Sequence, residues 1–244
     1  MVEFKVLELK SRAGQEDVTV YPVLIINGTE TLLFDAGYPA QADTIESELS
    51  RRGFSISNLT GIIISHHDHD HVGSLRALKT RNPSIKIAAH KNEAPYIDGS
   101  RTSLRLIQAE EYNMTLEGSA RDFGLWFAGY LKTIEPCPVD LLLDDAAGEI
   151  SPGIRVIPTP GHTPGHISLW LYESGTILTG DALAFEGGRL TVPNPEFTLD
   201  MKKSLASVET IRALSPRTIV CYHGGTVREN IPGLLEAAAM GKTE

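Results

Sequence analysis

The 244-residue sequence contains only two cysteines, Cys137 and Cys221, so a framework of disulfides is excluded as the source of its stability. It has no apolar run of membrane-spanning length, because the longest runs, such as residues 23–26 and 62–64, reach only the length of a strand. Low-complexity segments and fixed-period repeats are also missing. With 41% hydrophobic residues, the chain has enough apolar side chains to fold around its own core.

The charge balance disfavours a partner that is held mainly by phosphate contacts. The sequence has 22 Lys and Arg against 31 Asp and Glu, which gives a formal net charge of −9. We therefore expect neither a nucleic acid nor a membrane as a partner. Residues 1–10 alternate charged and apolar side chains and lack the continuous apolar stretch of a signal peptide. These features predict a cytoplasmic protein that acts on a small-molecule substrate, and they leave a homodimer open.

Short β-branched and aliphatic segments alternate with segments of helical periodicity in both halves of the chain. Strands are predicted near residues 2–9, 18–26, 31–34, 62–64, 85–89, 154–157, 167–172, 176–178 and 218–221. Helices are predicted near residues 40–52, 72–79, 103–112, 199–214 and 231–240. Residues 92–138 are less regular, and we interpret them as an inserted cap or loop region within a single domain, residues 1–244. The order indicates an α/β fold with two packed sheets and helices outside.

Histidine is concentrated in three segments, and the densest lies between a predicted buried strand and a predicted helix. Residues 65–73 read Ser-His-His-Asp-His-Asp-His-Val-Gly. Four imidazoles and two carboxylates so close together need a counter-charge, which a divalent cation supplies. Imidazole and carboxylate are ligands that suit zinc, iron or manganese. We therefore predict a metal site, with His66, Asp68 and Asp70 on one side of the loop and His71 joining them where the helix begins.

Three later segments place polar side chains at strand ends or in a rigid turn. His162 and His166 lie in a Pro/Gly turn, Asp181 follows the predicted strand 176–178, and His223 follows the predicted strand 218–221. Strand ends in a sandwich meet at one edge, so we expect these side chains to converge on the first histidine segment.

The chain resembles the metallo-β-lactamase fold superfamily over nearly its whole length. The first motif of that family is His-x-His-x-Asp-His. Alignment on Asp70-His71-x-Gly73 places the first family histidine at His66 and puts Asp68 where the second family histidine stands. The histidines at positions 67 and 69 then fall at variable positions, where we expect them to face solvent.

The resemblance implies an αββα four-layer sandwich with two divalent metal ions at one edge, zinc being the expected ion and iron or manganese the alternatives. It implies a metal-dependent hydrolase in which a hydroxide bridging the two ions attacks a small ester, lactone or thioester, with Asp70 taking part in catalysis. The implied ligands are His66, Asp68 and His162 for one ion and Asp70, His71 and His223 for the other, with Asp181 bridging them. Supporting or substrate-contacting roles are implied for Asp35, His166 and Phe185.

The aspartate at position 68 departs from the family motif and adds a third carboxylate to the site. The added charge predicts a more neutral site and a less acidic bound water, and the oxygen ligand favours iron or manganese over zinc. Because the flavodiiron branch of the superfamily also has a carboxylate here, an iron-dependent oxidoreductase of the diiron type stays open. A persulfide dioxygenase is the other iron-dependent alternative, although those enzymes usually keep the second histidine and Asp68 argues against them. A catalytically silent ligand-binding protein on the same scaffold is the other alternative. All seven predicted ligand positions keep metal-binding side chains, which favours an active hydrolase.

Overall fold

A computed structural model of the protein describes residues 2–13, 16–146, 148–193 and 195–241. The strands are, in chain order, β1 (Glu3–Val6), β2 (Leu9–Ala13), β3 (Glu16–Val20), β4 (Val23–Asn27), β5 (Glu30–Phe34), β6 (Gly61–Ile64), β7 (Lys86–His90), β8 (Leu141–Leu143), β9 (Glu149–Ser151), β10 (Ile154–Pro158), β11 (Ile167–Leu171), β12 (Thr176–Leu178), β13 (Ala184–Glu186), β14 (Arg189–Thr191), β15 (Thr218–Cys221) and β16 (Gly225–Val227). The α-helices are α1 (Ala42–Ser50), α2 (His69–Val72), α3 (Leu75–Arg81), α4 (Ala94–Ile97), α5 (Leu104–Asn113), α6 (Gly118–Leu131), α7 (Met201–Ala213) and α8 (Ile231–Ala239).

Two six-stranded sheets form the centre of the fold. The first has the order β1-β4-β5-β6-β7-β8, and the second has the order β16-β15-β12-β11-β10-β9. Both are mixed: β5 to β8 run parallel in the first sheet, and β12 pairs in parallel with β15 in the second. Two hairpins, β2-β3 and β13-β14, lie outside the sheets. Parallel neighbours bring the chain segments that follow them to the same edge, which is where the polar motifs lie.

Three apolar clusters hold the layers together, and strand alternation decides which residue joins which cluster. Ile62 and Ile64 of β6 belong to a cluster with α1 and α3, whereas Ile63 belongs to the cluster between the two sheets. In the second sheet, Ile177 and Ile219 belong to a third cluster with α7 and α8. The layers are therefore helices, sheet, sheet and helices, and the predicted αββα sandwich is confirmed.

The two sheets are also joined by backbone hydrogen bonds at one end of the sandwich. The Ile167 nitrogen, at the start of β11, donates to the Ser65 oxygen after β6 at 3.1 Å. The Tyr21 nitrogen donates to the Tyr222 oxygen at 3.0 Å. Both bonds lie beside the polar motifs, so the backbone fixes the separation of the two sheets at that end.

Several predicted boundaries were wrong. The predicted helix 72–79 is two helices, α2 and α3, and α2 begins inside the histidine segment. The predicted strand 18–26 is divided into β3 and β4, because β3 pairs with β2 in the hairpin whereas β4 pairs with β1 and β5 in the first sheet, and Pro22 between them has no N–H to donate. None of the helices in the described ranges is both long and apolar enough to cross a bilayer.

Residues 92–138, predicted as an irregular insert, contain three helices. The longest, α6, escaped prediction because it includes Gly118, Gly124 and Gly129, which disfavour a helix. Phe123 and Trp126 are more than half exposed. Helices α5 and α6 pack against each other. The division of the chain into one domain with an insert stays a prediction.

Gly161 offers a test of how closely the histidine turn packs on the helix that follows. Its φ is +140°, and a Cβ atom there would lie 2.2 Å from the backbone nitrogen of Ser204 in α7. We expect Gly161→Ala to lower the free energy of unfolding by about 2 kcal/mol or more, measured by urea denaturation. The matched control is Gly129→Ala in α6, where a Cβ meets nothing within 4 Å and should raise that free energy by about 0.5–1 kcal/mol. Equal effects of the two substitutions would contradict the expected close packing.

Candidate metal centre

The polar motifs converge at the edge of the sandwich. Of the seven predicted ligands, six are buried, and the His223 side chain is 31% exposed. Three groups have all their ligand atoms within 4.8 Å of one another: His66, Asp68 and His162; Asp70, His71 and His223; and His66, His71 and Asp181. The structure therefore brings together all seven residues, although positions 66 and 223 are far apart in the chain.

Distances within these groups are short enough for shared ligation. His162 Nε2 lies 3.1 Å from Asp68 Oδ2, and His223 Nε2 lies 3.1 Å from Asp70 Oδ2. The Asp181 Oδ2 atom lies 3.6 Å from His162 Nε2 and 3.5 Å from His223 Nε2. Asp181 thus reaches one ligand of each group, which is the position that a bridging carboxylate needs.

Buried atoms without hydrogen bonds provide the test of whether a cation fits. Within the described part of the chain, His66 Nε2 and Asp68 Oδ1 are buried and have no hydrogen-bond partner. A buried polar atom left unpaired is costly, and a second carboxylate nearby adds repulsion. Divalent cations satisfy imidazole nitrogen and carboxylate oxygen together, so the donor set fits a metal.

The acidic ligands are ionised. Burial alone would raise the pKa of Asp68, but the Arg105 guanidinium, together with His162 and His66, holds that pKa well below its usual range. Burial is likewise outweighed at Asp181, where His223 and His71 hold the pKa well below its usual value. Carboxylates that are ionised at neutral pH are ready to bind a cation without first losing a proton.

The pKa of the His223 imidazole is raised, in contrast to the lowered pKa values of the acidic ligands. Burial lowers its pKa, but the carboxylates of Asp181 and Asp70 more than offset burial and raise the pKa to about 10. A cation that takes this nitrogen must therefore displace a proton, since only the neutral imidazole binds a metal.

Asp35 orients a predicted ligand. It follows β5 in the left-handed region with φ of 66°, a conformation that aspartate tolerates better than most residues. Its Oδ1 accepts from the Ser65 nitrogen at 2.8 Å, and its Oδ2 lies 2.9 Å from His71 Nδ1. In the neutral form of His71 that can bind a metal, donation of this bond by Nδ1 leaves Nε2 unprotonated and directed at the site.

His166 and Phe185 have other partners. His166 Nδ1 lies 2.9 Å from Thr159 Oγ1, and its Nε2 accepts from the Asp181 nitrogen at 3.0 Å, so the ring fixes the Asp181 backbone. The Phe185 nitrogen donates to the His223 oxygen at 2.9 Å, and its half-buried ring packs against the third apolar cluster. These contacts favour supporting roles for both residues.

Sequence reasoning missed Glu93. One of its oxygens accepts from the His67 nitrogen at 3.1 Å and contacts His67 Nδ1, and the other accepts from the Gly165 nitrogen at 2.6 Å. Glu93 therefore ties the loop that carries His66 to the turn that carries His162. The expectation that His67 faces solvent was wrong, because this pairing keeps it buried at 4% exposure. The isolated glutamate belongs to no motif that could have revealed its role.

Arg105 was also missed. It projects from α5, is 4% exposed, and donates to Asp68 Oδ2 from Nε at 3.2 Å and from Nη2 at 2.6 Å. The Nη2 atom also donates to the Phe197 oxygen at 2.7 Å. The sequence gives no sign of this contact, since 37 positions separate the two charged partners.

An apolar cavity of about 430 Å³ lies between α5, α6 and residues 195–197, and Arg105 forms part of its wall. The other lining residues are Gln108, Ala109, Tyr112, Asn113, Leu116, Phe123, Gly124, Phe127, Pro195, Glu196 and Phe197. Because the same arginine contacts Asp68, the cavity adjoins the ligand cluster.

Comparison with known proteins finds hydrolases and a probable metallo-hydrolase among the proteins that this chain is similar to. The chain is similar to the probable metallo-hydrolase YflN of Bacillus subtilis (strain 168), with 25% identity over 214 residues, covering 79% of this chain and 75% of that protein. It is 27% identical over 207 residues to a hydroxyacylglutathione hydrolase of Synechococcus sp. (strain JA-2-3B'a(2-13)), covering 84% of this chain and 64% of that protein.

Among solved structures, a metallo-beta-lactamase family protein from Thermus thermophilus superposes with a TM-score of 0.72 at 22% identity, covering 97% of this chain and 78% of that chain. This likeness shows the same fold. The family model of the metallo-beta-lactamase superfamily matches residues 16–223. Because the match spans most of the sequence, the chain belongs to the metallo-beta-lactamase superfamily.

Proposed function

We propose that the protein is a metal-dependent hydrolase with a two-metal site, acting on a small ester, lactone or thioester. The observation that carries the proposal is the meeting of two three-ligand groups with Asp181 between them. The similarity to a probable metallo-hydrolase and to a hydroxyacylglutathione hydrolase supports it. We further propose zinc as the ion, a cytoplasmic location and a small-molecule substrate, with no nucleic-acid or membrane partner.

The chain's own residues prepare the site for this reaction. Bound divalent ions would supply an acidified water and polarise the carbonyl that is attacked. Burial would raise the pKa of Asp70, but His71, His69 and His223 outweigh burial and lower that pKa, so the carboxylate stays ionised and can accept a hydrogen bond from the attacking water. Asp35 keeps His71 in one orientation, and six of the seven proposed ligands are buried.

A covalent route through cysteine is disfavoured. Cys221 is fully buried, and burial raises the pKa of its thiol to about 12. Cys137 is also buried, and burial raises the pKa of its thiol. A thiol that stays protonated is a poor nucleophile, so neither cysteine offers an alternative to attack by water.

The cavity beside the site indicates the organic part of the substrate. Its wall is mostly aromatic and aliphatic, and its arginine is already paired with Asp68. Asn113 is 6% exposed, and its side-chain amide nitrogen has no hydrogen-bond partner among the described residues. We propose that the cavity accepts an apolar acyl or aryl group, and that Asn113 donates to a carbonyl or hydroxyl oxygen that the group carries.

The second candidate function is an iron-dependent oxidoreductase, of the diiron or persulfide dioxygenase type. The carboxylate of Asp68 in the ligand cluster favours the diiron type, since oxygen ligands suit iron, and argues against the persulfide dioxygenase type, which usually has histidine at this position. Oxygen uptake by the iron-loaded protein, with a persulfide as substrate, would support this alternative. Hydrolysis without oxygen uptake would support the hydrolase, and metal binding with neither activity would support a silent binding protein.

Metal content tests the ligand groups. After reconstitution with zinc, manganese or iron, we expect about two ions per chain in the unmodified protein and about one in His223→Ala, measured by elemental analysis. Asp181→Ala should weaken both sites and lower hydrolysis at least about 100-fold, because the carboxylate lies between them. His90→Asn is the control, since His90 is a buried histidine outside the groups. Absence of metal from the unmodified protein would contradict the proposal.

Acyl-chain selectivity tests the cavity. Ala109→Phe narrows the cavity, so we expect kcat/KM to fall at least about 10-fold for esters or thioesters with about six to eight acyl carbons and to change little for acetyl substrates. The matched control is Ala120→Phe on α6, because Ala120 is exposed and is not among the lining residues. An equal loss for short and long substrates would contradict a role of the cavity in substrate binding.

A further inference from the structure

The guanidinium of Arg105 is fixed on several sides. Besides its two bonds to Asp68, it is shielded from solvent, since only 4% of the residue is exposed. Its Nη1 atom donates to Gln108 Oε1 at 2.5 Å, and its guanidinium lies 5.1 Å from the ring centre of Phe197. An arginine held in this way presents a permanent charge in one place, which a surface arginine does not.

Arg105 contacts only one of the two carboxylate oxygens of Asp68. Both guanidinium bonds and the His162 Nε2 contact go to Oδ2. Oδ1 is buried and has no hydrogen-bond partner within the described ranges. The oxygen that Arg105 holds also lies 3.5 Å from His66 Nε2 and 3.1 Å from His162 Nε2, so the guanidinium fixes the carboxylate beside the other two residues of its group.

Arg105 also changes the charge of the site. With aspartate at position 68, the site has one carboxylate more than the motif His-x-His-x-Asp-His provides, and the sequence alone predicts a more neutral site. The adjoining guanidinium cancels that extra negative charge at a distance of 2.6 Å. Position 68 and its partner together are therefore neutral, as an imidazole would be.

We propose that Arg105 is a positioning residue that enables Asp68 to serve as a metal ligand, by holding one oxygen and balancing the charge. This inference rests on the metal site proposed above. It makes residues 68 and 105 one functional unit, with the arginine supplied by a helix of the 92–138 region. The lower acidity of bound water that the sequence predicts from the third carboxylate is then offset, because the net charge matches that of a site with histidine at position 68.

The competing explanation is that the ion pair only anchors α5 to the sandwich. The two explanations differ in what a histidine at position 68 does. If Arg105 balances the ligand, Asp68→His leaves a buried guanidinium beside the cations, and removal of that charge restores binding. If Arg105 only anchors the helix, removing it from the Asp68→His variant weakens metal binding further.

The experiment measures zinc and manganese affinity by competition with a chromophoric chelator, using the full chain after chelator treatment. We expect Asp68→His to lower the affinity for one of the two ions at least about 10-fold. The double variant Asp68→His with Arg105→Met should bind within about threefold of the unmodified protein. The control double variant combines Asp68→His with Arg121→Met, which removes an exposed arginine from α6 and should give no recovery.

Circular dichroism verifies that each variant is folded. If Arg105→Met does not fold, Arg105→Gln replaces it, because the glutamine side-chain amide can still donate to the Phe197 oxygen. Recovery in the double variant, and not in the control, would support the proposal. The proposal would be overturned if the double variant with Arg105→Met bound metal no better than Asp68→His alone, or if Asp68→His lost no metal affinity. Failure of the unmodified protein to bind either metal would instead overturn the proposed function.

Discussion

Three buried aspartates whose oxygen atoms face four imidazoles set the requirements for the rest of this structure. Carboxylates gathered away from water repel one another unless positive charge lies between or beside them. Asp68 meets Arg105, while Asp181 and Asp70 meet His223. In the proposed function, a pair of cations between these groups would offset the remaining negative charge of the carboxylates. Hydrogen bonds of Glu93 and His166 with the surrounding loops hold the ligand side chains close together.

The topology achieves this arrangement by bringing strand ends of both sheets to one edge. Asp35 follows β5 and His66 follows its parallel neighbour β6, so the support and the ligand emerge side by side. In the second sheet, Asp181 and His223 follow β12 and β15, which are also parallel neighbours. Each sheet thus presents residues from adjacent strands, and packing of the two sheets faces them toward each other.

The sequence predicted the parts of the site that depend on local pattern. The dense histidine segment, the Pro/Gly turn with His162, and polar residues directly after apolar strands are all visible in a short window. Arg105 and Glu93 could not be predicted, because their importance arises only from tertiary contacts with Asp68 and with the two ligand loops. Helix α6 was missed for a different reason, since its three glycines disfavour a helix although the chain forms one there.

The backbone bonds that link the two sheets have a consequence for local motion. The amides of Ile167 and Tyr21 bond across from one sheet to the other beside the ligands, so they can exchange their hydrogens with solvent only when the sheets part at that end. Openings that merely fray the outer helices leave both amides protected. Slow deuterium uptake at these two positions would therefore report separation of the two sheets at the ligand edge, and not local motion of the outer helices.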